Sequence, residues 1–188
     1  MIFRATPLDG AFVVEQERRR DERGFFARTW AVEELAARGL DTRVAHMNTS
    51  FNARAGTLRG LHLQAEPHAE AKLVRATRGA IRDVAVDLRR DSPSYLRWHA
   101  VDLDAEGGLA YFIPAGCAHG FVTLADDSEV LYVMSAAWQT SGPQGRLVSM
   151  RRKSTEARFA RVSAKRRSNH PCPAPLCACA DAGCRHRR

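Results

Sequence analysis

From Val44 to Trp138 the chain is a series of short apolar-polar alternations, each cut off by a turn before it can become long. VAHMNTSFN alternates ahead of a loop at 52–56, and KLVRATRG and AIRDVAVDLR alternate on either side of Arg78-Gly79. WHAVDLD, LAYFIP, HGFVTL and SEVLYVMS continue the series, broken at Glu106-Gly107-Gly108, Pro114-Ala115-Gly116 and Asp126-Asp127. Period-two alternation marks strands with one buried face, and many such strands without intervening helices close as a sandwich or barrel. We read an all-β fold, a jelly roll, with a hairpin at Arg78-Gly79. Only AVEELAARGL, 31–40, has helical period and a glycine stop, so one short helix is expected in the N-terminal half. Upstream, Ile2-Phe3-Arg4 and 11–14 read as strands about an Asp9-Gly10 turn, and Asp21-Glu22-Arg23-Gly24 as a polar turn before Phe25-Phe26. There is no internal repeat and no Gly-rich strand-to-helix phosphate loop.

The net charge of +8 belongs to one end of the chain. Residues 1–145 hold 17 Lys and Arg against 19 Asp and Glu, whereas 146–188 hold 12 against 2. Four of the five cysteines also lie there (Cys172, Cys177, Cys179 and Cys184), which leaves Cys117 in the body. We therefore divide the chain into a jelly-roll domain, 1–138, and a basic, Cys-rich tail, 139–188. The tail's low hydrophobicity and single-sign charge predict little order, apart from a weak helix near 155–166. Its cysteines follow C-x4-C-x-C-x4-C rather than paired C-x2-C, a poor zinc pattern. Its arginines lack the stacking aromatics of a single-strand nucleic-acid site, so no nucleic-acid partner is expected. No run approaches the ~20 apolar residues of a membrane span, and the N-terminus lacks a signal-peptide pattern. The expectation is a cytoplasmic protein with no membrane partner and no disulfide framework.

Chemistry-bearing residues concentrate in GTLRGLHLQAEPHAEAK, 56–72, with a further histidine in IPAGCAHGF and a tyrosine in EVLYVM. His62 opens a strand after a glycine that lets another backbone come close. His119 sits in a Pro-Gly turn entering an apolar strand. Asp83 alternates with Ile81 and Ala85; on an inner face that carboxylate needs a partner such as an imidazole. Lys72 and Tyr132 each lie in an apolar strand. Singly these residues read as rim or packing positions. Together they make a proton-abstraction site, with imidazole as base, ammonium to stabilise an enolate and phenol as acid. Arg23 and Arg59 offer planar donor forks for phosphate. Metal is the competing use: Pro114-x-Gly116-x-x-His119 matches half of a metal-cupin pattern, but the other half reads His62-Leu63-Gln64, where an amide replaces an imidazole ligand. His68 and Glu70 are the available substitutes.

With those residues in view, the chain resembles the dTDP-4-dehydrorhamnose 3,5-epimerases, the RmlC-type cupins. The matching strings are DERGFF (21–26), HMNTSFN (46–52), GTLRGLH (56–62), KLVRATRGAI (72–81), DVAVDLR (83–89), SPSY with Trp98, IPAGCAHGF (113–121) and EVLYVMS (129–135). The resemblance implies a homodimeric cupin jelly roll, needing no metal or cofactor, whose N-terminal region contacts the partner's pocket. It implies a dTDP-linked 4-keto-6-deoxyhexose substrate, inverted at C3 and C5. It also implies His62 as base, Tyr132 as acid, Lys72 as enolate stabiliser, and His119 supported by Asp83. Arg23 and Arg59 would bind phosphate or sugar, and Asn48 would line the site.

The sequence departs from this family at several positions. Arg28 stands where many members carry glutamate, and His46-Met47-Asn48 replaces Gln-Asp-Asn, a pattern of a divergent branch that takes another keto sugar or inverts one carbon. After EVLYVMS the family's Arg-Trp-Asp-Asp-Pro-like motif and its late aspartate, which partners the catalytic histidine, are absent; Trp138, Gly142 and Gly145 are the only echo. The abrupt Arg-, Ala-, Pro- and Cys-rich composition is that of a frameshifted or replaced C-terminus. The reading is an epimerase acting through a metal-free enolate. The alternatives are a sugar-nucleotide-binding cupin with impaired catalysis, a related 3-epimerase or 3,4-ketoisomerase, or a metal-dependent cupin.

Overall fold

A computed structural model describes residues 1–138. The basic tail, its cysteines and the helix expected near 155–166 lie outside the described residues. Twelve strands and one helix run in the order β1 (Ile2–Ala5), β2 (Phe12–Glu15), β3 (Arg19–Asp21), β4 (Gly24–Phe26), α1 (Val32–Ala36), β5 (His46–Asn52), β6 (Leu58–His62), β7 (Lys72–Arg78), β8 (Ala80–Asp87), β9 (Trp98–Asp104), β10 (Leu109–Ile113), β11 (Cys117–Thr123) and β12 (Ser128–Met134).

They form a six-stranded sheet, β1-β2-β10-β7-β12-β5, a four-stranded sheet, β6-β11-β8-β9, and the separate ribbon β3-β4. All pairings are antiparallel. The all-β jelly-roll expectation holds. Alternation explains the layers: Val74 and Ala76 of β7, Ile81 and Ala85 of β8, Tyr111 and Ile113 of β10, Phe121 of β11 and Val130 of β12 fill the space between the sheets. The intervening residues Leu73, Ala110, Phe112 and Val133 form a second cluster with Ala31 and Leu35, so α1 covers the outer face of the larger sheet.

Two expectations are corrected. Arg78-Gly79 is not a hairpin, because β7 pairs with β10 and β12 while β8 pairs with β11 and β9. The chain instead turns a corner from one sheet into the other, which lets the apolar faces of β7 and β8 oppose each other. Gly79 has φ +66°, and a Cβ there would meet Ser128 Oγ at 2.5 Å. That hydroxyl accepts from Ala80 N–H (3.2 Å) and donates to the Ala80 carbonyl (3.1 Å), bracing the corner. The helix is also shorter than 31–40. It has no side-chain N-cap and no basic residue in its last turn, and Gly39, at φ +68°, turns the chain so that Leu40 N–H reaches the Leu35 carbonyl.

Gly60 sets the position of the first histidine. Its φ is +106°, and an added Cβ would lie 2.6 Å from Gly120 Cα and 2.8 Å from the His119 carbonyl, both backbone atoms. Neither neighbour can swing aside, so Gly60→Ala is expected to cost about 1–3 kcal/mol in chemical denaturation. An unchanged midpoint would show that β6 and β11 can separate freely.

Candidate active site

The close approach at Gly60 places His62 directly across from His119 as Cα partners of β6 and β11. His119 Nε2 donates to Asp83 Oδ2 at 2.8 Å, with both side chains almost wholly buried. Asp83 thus occupies the inner face with Ile81 and Ala85, as the alternation predicts, and its partner is the expected imidazole. Its Oδ1 has no hydrogen-bond partner among the described residues.

Tyr132 approaches from the other sheet. Its ring meets His119 edge-on, 6.1 Å between centroids, and lies 6.3 Å from the Phe121 ring. On the opposite flank, Trp138 meets the His62 ring edge-on at 6.0 Å. Asn48 is the Cα partner of Tyr132 on β5, so the two share a face, and its amide Nδ2 donates to Met134 Sδ at 3.1 Å. Lys72, buried on β7, forms an ion pair with the buried Glu70. Gln64 Nε2 donates to Glu70 Oε2 at 2.9 Å, to the His68 carbonyl at 3.2 Å and to the Ala137 carbonyl at 3.3 Å. Arg59 Nε donates to Asn52 Oδ1 at 2.6 Å, which aims the guanidinium along the rim.

The electrostatics assign different proton states to the two reactive candidates. Burial, reinforced by His119, Lys72 and Arg59, holds His62 below its ordinary 6.5, so the imidazole is a free base at neutral pH. Burial pushes Tyr132 well above its ordinary 10, with the Ser50 hydroxyl opposing and Asp83 adding, so the phenol keeps its proton. One group can accept a proton and the other can give one.

The structure therefore gathers His62, His119, Asp83 and Tyr132, with Lys72 and Arg59 close enough to act on His62, and places Asn48 alongside Tyr132. Arg23 is different. It is exposed at the tip of the β3-β4 ribbon, where its guanidinium pairs with Asp21 at 2.6 Å. Sequence reasoning considered Glu70 and Gln64 only in relation to a metal and missed the bond of Glu70 to Lys72 and of Gln64 to Glu70. Glu70 lies in the loop before β7, where no periodicity marks it. Among the described residues no group of three His, Cys, Asp or Glu could hold a metal ion. No described helix is long and apolar enough to cross a membrane.

Comparison with known proteins shows the family. The dTDP-4-dehydrorhamnose 3,5-epimerase of Sinorhizobium fredii is 37% identical over 145 residues, covering 77% of this chain and 74% of its own. That of Methanothermobacter thermautotrophicus is 46% identical over 130 residues, 69% of each chain. The crystal structure of the Bacillus anthracis enzyme with TDP and PPi bound superposes with a TM-score of 0.71 at 36% identity, covering 74% of this chain and 79% of that one. The sequence model of the family matches residues 5–170, past the end of the described residues. The chain belongs to the dTDP-4-dehydrorhamnose 3,5-epimerase family.

Proposed function

We propose that this chain epimerises dTDP-4-dehydro-6-deoxy-D-glucose at C3 and C5 to give dTDP-4-dehydro-L-rhamnose. The observation that carries the reading is that His62 and Tyr132 come from different sheets and both neighbour His119, the first as its Cα partner and the second with its ring 6.1 Å away. Both reacting carbons flank the C4 ketone, which makes their hydrogens acidic. His62 takes the proton, the C–H electron pair moves into the C4–C5 or C4–C3 bond, and charge develops on the ketone oxygen. The Lys72 ammonium stabilises that enolate oxygen. Tyr132 then delivers a proton to the opposite face of the carbon, completing the inversion; the phenolate left behind takes a proton from solvent and the His62 imidazolium returns its own to solvent. His119, fixed by Asp83, packs between the two sides. Arg59 and Asn48 line the pocket for the sugar and its phosphates.

A homodimer in the cytoplasm completes this reading. Phe25 and Phe26 of the ribbon and Met47 and Phe51 of the edge strand β5 are large apolar side chains half or more exposed. A ribbon whose arginine lies exposed beside Asp21 fits one that serves a second copy's pocket. Arg23 would there meet the substrate's phosphate.

Proton NMR of the keto sugar with the protein in D2O tests the reaction. Deuterium is expected at both C3 and C5; exchange at C3 alone would assign a 3-epimerase, and none with dTDP bound would leave only a binding protein. The pH dependence follows from the two proton states. The rate should be flat from about pH 6.5 to pH 10 and fall below 6.5 as His62 takes up a proton. A decline beginning above pH 7 would contradict a base with a lowered pKa.

A further inference from the structure

Lys72 does not stand alone in the pocket. Its ammonium is nearly inaccessible, at 7% exposure, and it contacts a carboxylate that is itself 1% exposed. A buried pair of this kind brings little net stability, because desolvating both charges offsets their attraction. Glu70 is also held at its other oxygen by Gln64, whose amide is tied in turn to the His68 and Ala137 carbonyls. The result is a chain of contacts from the backbone beside Trp138, through Gln64 and Glu70, to the tip of Lys72. A lysine side chain has four rotatable bonds, and an ammonium has three donors. Fixing one donor on Glu70 removes most of the tip's freedom, and the charge so held lies close enough to His62 to oppose that ring's protonation.

We infer that Glu70 is a positioning residue: it holds the Lys72 ammonium where the enolate oxygen develops, and Gln64 holds Glu70. This rests on the proposed role of Lys72. The contribution is orientational, so it should appear in the chemical step and not in nucleotide binding.

The test uses the full chain and four variants, Glu70→Leu, Glu70→Gln, Lys72→Ala and Lys72→Ala with Glu70→Gln. Deuterium entry into dTDP-4-dehydro-6-deoxy-D-glucose is followed with enzyme and substrate at equal concentration, so that rates about 10⁴-fold below wild type are still read. Affinity for dTDP is measured by calorimetry. Glu70→Leu is expected to slow exchange by about 10–100-fold with dTDP affinity unchanged. Glu70→Gln, which keeps an acceptor and the side-chain shape, should recover part of that loss and serves if the leucine variant does not fold. In the Lys72→Ala background, Glu70→Gln should change nothing further. Full wild-type exchange in both Glu70 variants would overturn the inference, as would an equal loss with and without Lys72. If Lys72→Ala itself exchanged at the wild-type rate, the role of Lys72 would fall first and the inference with it.

Discussion

Replacement of His62 by alanine is expected to slow deuterium entry at both C3 and C5 by about 10²–10⁴-fold, the range for loss of a positioned general base. The argument is one of position and proton state together. His62 lies opposite His119 on adjacent strands, and its neighbours oppose its protonation. It is only half-buried, so a keto sugar can reach it, whereas His119 has 2% exposure and its Nε2 is bonded to Asp83. Removing the His62 ring leaves Arg59, Asn48 and Tyr132 in place, so dTDP affinity should change little. Exchange at the wild-type rate in His62→Ala would transfer the base role to another group. Loss of exchange at C5 alone would mean that the two carbons use different bases.

The largest loss of stability is expected at Asp87, well outside the pocket. Its carboxylate is fully buried and accepts from Arg89 N–H and Nε, each at 3.0 Å, from the other guanidinium arm at 2.8 Å, and from the Ser92 and Ser94 hydroxyls. Ser94 Oγ in turn accepts from Asp9 N–H at 2.8 Å, and Arg89 donates to the Asp9 carbonyl at 2.6 Å. One carboxylate thus ties the loop after β8 to the β1-β2 turn. Asp87→Ala strands a guanidinium and two hydroxyls and should cost about 3 kcal/mol. Although burial pushes this carboxyl up, the bonds from Arg89, Ser92 and Ser94 outweigh it and hold it well below its ordinary 3.8. Its contribution is therefore present above pH 3.8 and lost as the pH falls through the folded-state value. The gap in denaturation midpoint between wild type and Asp87→Ala should be full at pH 7 and narrow progressively below pH 4. A gap that is small at pH 7 would mean that the loop is anchored elsewhere.

The strands were legible because each is short, alternates and ends in a turn, and alternation alone put Asp83 on the inner face beside Ile81. The corner at Gly79 was not legible. A hairpin and a crossing between sheets place the same glycine after the same alternation, and only the pairing of β7 with β12 and of β8 with β11 separates them. The helix was overread because good helix formers continue past Ala36, while Gly39 turns the chain so that Leu40 returns to the same cluster as Ala31 and Leu35. His62, His119, Lys72 and Tyr132 could be nominated from residue type and strand context. Glu70 was harder: in sequence it is one acid in a polar loop, and only the fold turns it inward onto Lys72.

The proposed proton acceptor and donor hang from separate sheets, so the thickness of the sandwich is the ruler that spaces them. Phe121 and Val130 are the spacers that fix this thickness near the pocket. Trimming either by a methylene or two should alter turnover out of proportion to melting temperature, because a sub-ångström approach of the layers changes a proton jump far more than it changes a fold. On these roles, core volume becomes a kinetic variable.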